Sequence, residues 1–218
     1  MKILGYSERG IINSLIFNIG EDKALMHNFI KLINIDNLGE PLDYTILLEQ
    51  SFSGFGDADL VIILEYKSYK TVLFIEGKVK TYNIKKWSLD KQYNKFKSRV
   101  KYNGYSSNLF YQLYLKHLMF SNKKNIINNN KATIHCGIRE RKIGNNAIVW
   151  DAFNKIAECS HAYYVGLIPA TKMEIKQFKE ALDYNIHLLS WQKVETFCEE
   201  NKLDKVKDIF KYNKGQIH

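Results

Sequence analysis

Residues 59–79 read DLVIILE, YKSYK, TVLFIEGKV. Two runs rich in β-branched, aliphatic and aromatic residues, 59–65 and 71–79, flank a short polar segment at 66–70, a pattern that predicts two strands joined by a turn. Side chains alternate across a strand, so residues two apart share a face. Asp57, Asp59, Val61 and Ile63 therefore lie on one side of the first strand, and Val72, Phe74, Glu76, Lys78 and Lys80 on one side of the second. If the strands form an antiparallel hairpin centred between Lys67 and Ser68, Asp59 and Glu76 become cross-strand neighbours, roughly 4.5–5.5 Å apart at Cβ. Lys78 then follows on the same face.

Working outward, residues 44–49 make a third strand, linked to the hairpin through the glycine-containing stretch 51–56. Ser7 and Glu8, followed by Ile12, Leu15, Ile16 and Ile19 at helical spacing, read as a capped helix running to about Gly20. A second helix is expected over 22–35. Beyond the hairpin, helices are expected over 86–100 and 105–120, and the polar stretch 121–131 (SNKKNIINNNK) reads as a flexible surface loop. Then come strands at 132–138, 162–168 and 186–190, alternating with helices at 149–159, 171–184 and 191–200, and a short helical tail over 203–218 with a frayed end. This order excludes all-helical and all-β folds. It predicts a single α/β domain over 1–218, with a central mixed sheet flanked by helices.

Composition narrows the classes of function. The three cysteines, Cys136, Cys159 and Cys198, are widely spaced and form no C-x-x-C pair, which argues against a disulfide framework or a structural zinc site. The longest aliphatic run, 60–64, is far too short to span a bilayer. The first residues lack the apolar length of a signal peptide, so a cytoplasmic protein with no membrane partner is expected. No Walker loop, G-x-G-x-x-G or G-x-S-x-G occurs. The net charge of +9 comes almost wholly from lysine, and a lysine-, asparagine- and isoleucine-rich chain can reflect genome composition alone. Its distribution is more telling. Between Lys78 and Lys101 nine basic residues face one acid, Asp90. Such clustering suits a phosphate-contacting surface, with Lys80, Lys85, Lys86, Lys91, Lys95 and Arg99 as its expected contacts.

Two carboxylates gathered at one end of an apolar hairpin repel each other when both are ionised. A divalent cation relieves that repulsion, and hard oxygen donors of this kind suit Mg²⁺ or Mn²⁺. Such an ion polarises a phosphoryl group and lowers the pKa of bound water. The plainer reading of Asp59, Glu76 and Lys78 is a cross-strand ion cluster at a sheet edge.

The arrangement Asp59, strand and turn, then Glu76-Gly77-Lys78, resembles the PD-(D/E)xK, or restriction-endonuclease-like, nuclease superfamily. The resemblance implies an αβββαβ core, here with extra C-terminal helices. It implies Asp59, Glu76 and the main-chain carbonyl of Gly77 as metal ligands, and Lys78 as the catalytic lysine. Members also carry a glutamate on the helix before the meander and a glutamine on the helix after the signature. Glu8 and Gln92 match these positions, each on an inward stripe of its helix, so Glu8 joins the expected ligands and both join the expected catalytic set. The usual proline before the aspartate is Ala58 here, and Asp57 stands as an alternative or additional ligand. The resemblance implies a Mg²⁺-dependent deoxyribonuclease with nucleic acid, expected to be DNA, as its partner, and it admits a homodimer. The competing reading is a catalytically silent nucleic-acid-binding module on the same fold.

Overall fold

The hairpin forms in the register that its symmetry about the turn predicts. The computed structural model describes residues 4–80, 87–99, 107–178, 180, 182 and 184–217. In it β1 (Asp43–Ser51), β2 (Asp57–Glu65) and β3 (Lys70–Gly77) make an antiparallel meander. Leu60 lies opposite Ile75 and Glu65 opposite Lys70, so the next step along the same register is Asp59 beside Glu76. β2 and β3 are buried along almost their whole length. That is why both read as continuous apolar runs rather than alternating ones.

Before the meander come α1 (Ser7–Ile19) and α2 (Lys23–Lys31). After it come α3 (Leu89–Arg99), α4 (Leu109–Ser121) and α5 (Lys123–Asn128), a small hairpin of β4 (Ile134–Cys136) and β5 (Arg139–Arg141), and α6 (Ala147–Ala157). β6 (His161–Ile168), α7 (Lys172–Gln177), β7 (Ile186–Ser190), α8 (Trp191–Glu200), α9 (Asp204–Tyr212) and α10 (Lys214–Ile217) complete the described chain. The main sheet runs β1-β2-β3-β6-β7. β6 lies parallel to β3, and β7 parallel to β6, so the sheet is mixed. The fold is α/β, with helices on both faces of a central mixed sheet.

Strand alternation divides the core. Leu60, Ile62, Leu64, Leu73, Ile75, Val165 and Leu167 point to one face, against α1, α2, α8 and α9. Val61, Ile63, Val72, Phe74 and Tyr164 point to the other, against α3, α4, α5 and α6. Each fully buried large apolar side chain contributes about 1.5–3 kcal/mol relative to exposure. A one-residue slip of β2 would exchange its two faces and mismatch side-chain volumes that are close-packed on both, which favours the register that joins Asp59 to Glu76.

Several local expectations are corrected. The stretch 121–131 is not a loop throughout. It holds α5, whose Ile126 is buried, and Lys123 places its ammonium 4.1 Å from the Phe120 ring centroid and donates to the Cys159 carbonyl. One buried isoleucine and a cation–aromatic contact outweigh the polar composition. The chain end is not frayed up to Ile217, which is buried in α10. Nor is Ser7 the cap of α1. It is the first helical residue, and its N–H donates to the side-chain oxygen of Asn213, 3.0 Å away. Asn213 also donates to the Gly5 carbonyl, so the end of α9 ties down the start of α1. α2 stops early because Asn34 takes a left-handed backbone (φ 59°). α7 stops at Gln177, where Phe178 turns extended and its ring meets those of Tyr93 and Phe110.

Candidate active site at the open end of the hairpin

At the open end of the hairpin the ladder between β2 and β3 stops at Leu60 and Ile75, and Asp59 takes over. Its Oδ2 accepts a 2.8 Å hydrogen bond from the Gly77 N–H, and its Oδ1 lies 3.6 Å from Arg9 Nε of α1. Arg9, half exposed, also lies 3.5 Å from Glu49 Oε2 on β1. Asp59 is thus held by a main-chain donor on one side and a guanidinium on the other.

Glu76, one residue before Gly77, is fully buried on the α4 face of the sheet. Burial pushes its carboxyl above the usual carboxylate range; the Lys116 ammonium opposes this, Asp59 adds to it, and Lys78 opposes it. Lys116 Nζ lies 3.1 Å from Glu76 Oε1 and donates to the Asp57 main-chain carbonyl. Both side chains are entirely removed from solvent. The ammonium is close enough for strong attraction, yet neither carboxylate oxygen of Glu76 has an aligned hydrogen bond.

The path of α4 places Lys116 there. At its start Leu109 packs against Gly166 of β6, where an added Cβ would come within 3.0 Å of the leucine. Gly166 is the parallel-strand neighbour of Glu76. Seven residues later Lys116 reaches the beginning of β2. Seven helical residues rise about 10 Å, and two interstrand spacings cover much the same distance, so α4 crosses the sheet from β6 over β3 to β2. Lys116 lies outside the sequence motif, though the sequence carries a signal for it. Leu109, Leu113, Lys116 and Met119 share the inward stripe of α4, and a lysine on such a stripe requires a buried partner.

No family model, curated protein or solved structure matches this chain. Its site is therefore read from geometry.

Of the other expected residues, Gly77 is confined by close approach. A Cβ there would fall 2.7 Å from the Glu8 Cβ and 3.2 Å from Ile12, on the face opposite Glu76. Glu8 thus reaches the site against the Gly77 main chain from the α1 side. Among the described residues it forms no three-carboxylate cluster with Asp59 and Glu76. Asp57 is exposed and serves through its carbonyl. Lys78 has both main-chain groups fixed, its N–H on the Leu167 carbonyl at 2.8 Å and its carbonyl on the indole of fully buried Trp191 at 2.7 Å. Gln92 spends its side-chain oxygen on the Leu109 N–H at the start of α4, and its carbonyl accepts from Asn108. It therefore anchors the helix that carries Lys116.

Of the expected nucleic-acid contacts, Lys91 and Lys95 are exposed on α3, and Lys80 is half-buried, with its N–H on the Gln216 carbonyl. Lys85 and Lys86 lie outside the described residues, as does the side chain of Arg99. Among the described residues no helix is long and apolar enough to cross a membrane.

Among the described residues no three His, Cys, Asp or Glu side chains converge as a metal cluster. A divalent cation here would rest on two carboxylates. Two carboxylates are within the range that Mg²⁺ takes, though Glu76 has no exposure and already faces Lys116. The unaligned oxygens of Glu76 and the position of Asp59 beside it are what such an ion would use, with the Gly77 carbonyl as a third donor.

Proposed function

We propose that this chain is a Mg²⁺-dependent nuclease of the PD-(D/E)xK type, hydrolysing phosphodiester bonds in DNA. The observation that carries this reading is the register that sets Asp59 beside Glu76 at the open end of the hairpin, with Lys78 next in line. Asp59, Glu76 and the Gly77 carbonyl would hold the cation, which supplies Lewis-acid stabilisation and an acidified water. The chain's own residues perform the remaining tasks. Lys78, whose charge acts on Glu76, would stabilise the negative charge that develops on the phosphate oxygens. Arg9 orients Asp59. The exposed lysines of α3 lie on the helix that Gln92 joins to the start of α4, and would meet the phosphate backbone.

The test is cleavage of supercoiled and single-stranded DNA in Mg²⁺, Mn²⁺ or EDTA. Lys78→Ala should lose cleavage by about a hundredfold or more while keeping its circular dichroism spectrum. Wild-type cleavage by a folded Lys78→Ala protein would remove the assignment.

A second reading is favoured by one observation. Glu76 already has a protein cation in Lys116, and Asp59 has one in Arg9. A silent nucleic-acid-binding module on this fold would bind DNA in a salt-sensitive way and show no cleavage that EDTA abolishes.

A further inference from the structure

We propose that the β4–β5 hairpin is a DNA-contacting arm, which meets the phosphate backbone of a duplex through Arg139 and the adjoining Lys142. It extends the basic surface of α3 toward the segment that leads into β2. The inference rests on the nucleic-acid part of the reading above, and it concerns residues that lie outside the Asp59, Glu76, Gly77, Lys78 pattern.

Three observations carry it. The first is charge. From Lys91 to Trp150 twelve basic residues stand against one acid, Glu140, and this stretch supplies much of the layer that covers the α4 face of the sheet. Arg139 and Lys142 are both exposed. Glu140 faces His135 across the β4–β5 ladder, 3.9 Å away. A surface so short of acids attracts a polyanion, and each phosphate it neutralises releases counterions. The second observation is anchorage. Arg141 donates to the Gly54 carbonyl and to the Tyr111 hydroxyl of α4, each at 2.9 Å. The Gly54 N–H donates to the Lys142 carbonyl at 3.1 Å, and a Cβ on Gly54 would fall 2.8 Å from the Lys142 main chain. Gly54 lies in the segment between β1 and β2, so the hairpin is fixed to the same stretch of chain that delivers Asp57 and Asp59. DNA lying along the hairpin therefore keeps a set relation to the site. The third observation is continuity. Cys136 of β4 packs with Tyr111 and Leu115 of α4, and Phe96 of α3 packs against the same cluster. The hairpin and α3, with its exposed Lys91 and Lys95, thus adjoin one stretch of α4, and their cations form one surface.

The experiment is a fluorescence anisotropy titration of a short labelled DNA duplex with the full chain, in EDTA and over a series of NaCl concentrations. Wild type is compared with Arg139→Ala/Lys142→Ala, with Lys31→Ala/Lys211→Ala and with Glu140→Gln. Lys31 and Lys211 are exposed on α2 and α9, which pack on the other face of the sheet, so their removal makes the same change in net charge away from the hairpin. The hairpin double variant should bind more weakly, and its slope of log affinity against log salt should be shallower by about 1–2. The α2/α9 double variant should keep the wild-type slope, and Glu140→Gln should bind more tightly than wild type. Equal effects of the two double variants, or wild-type affinity in the hairpin variant, overturn the inference and leave the nuclease reading standing. A wild-type chain that binds no duplex removes the inference and the nucleic-acid reading together. The expected binding pattern in a chain that never cleaves upholds the inference and removes only the catalytic reading. If the hairpin double variant is unfolded by circular dichroism, Glu140→Gln decides: tighter binding supports the inference, and unchanged affinity overturns it.

Discussion

The β2–β3 hairpin carries an ion pair near each end, and the two differ in everything except distance. At the turn end Lys70 Nζ lies 2.9 Å from Glu158 and 3.7 Å from Glu65, with all three side chains more than a third exposed. At the open end Lys116 Nζ lies 3.1 Å from Glu76, and both side chains have no exposure at all. Separation alone would rank the first pair the stronger. Solvent reverses that order. Water screens and competes at the turn, where such pairs are worth about 0–1 kcal/mol. In the interior the charges have lost their hydration, and each depends on the other.

The contrast can be broken in graded steps. The largest effect is expected from Lys116→Met, which leaves the Glu76 carboxylate buried and unpaired. Urea denaturation in metal-free buffer should show a loss of about 3–5 kcal/mol. Adding Glu76→Leu to that variant removes the orphan charge, and the double variant should recover most of the loss, to within about 1 kcal/mol of wild type or beyond it. A double variant as unstable as the single one would mean that Lys116 acts through packing and not through charge. By comparison Lys70→Met should cost at most about 1 kcal/mol. The smallest effect is its salt dependence: the Lys70→Met deficit should fade between 0.05 and about 1 M NaCl as the Debye length shrinks to about 3 Å, while the Lys116→Met deficit persists. Equal salt sensitivity at both ends would show that water reaches Glu76.

The hairpin was legible because its information is local and redundant. A polar turn at 66–70 fixes a centre and two apolar runs fix the strands, so Asp59 and Glu76 could be paired from residue numbers. The mixed sheet and its covering helices followed from the order of periodic segments. Lys116 was less visible, since nothing near it in the chain names its partner. Glu76 lies forty residues earlier, and the two meet only because α4 crosses the sheet. The start of α1 shows the same limit. A local rule assigns the cap to Ser7, but Asn213, at the far end of the chain, fills that role. Residues 121–131 look like a loop by composition, yet a buried Ile126 and the cation–aromatic contact of Lys123 hold a helix there.

The sequence by itself determined the α/β class, the strand register and the acid pair at the open end of the hairpin, because strand alternation and turn position are short-range properties. Only the tertiary structure decided what surrounds that pair: Arg9 on Asp59, Trp191 on the carbonyl of Lys78, Glu8 behind Gly77, and Lys116 buried against Glu76. Those partners come from helices remote in the chain, and their electrostatic weight depends on the exclusion of water, which only the packed layers of the fold create.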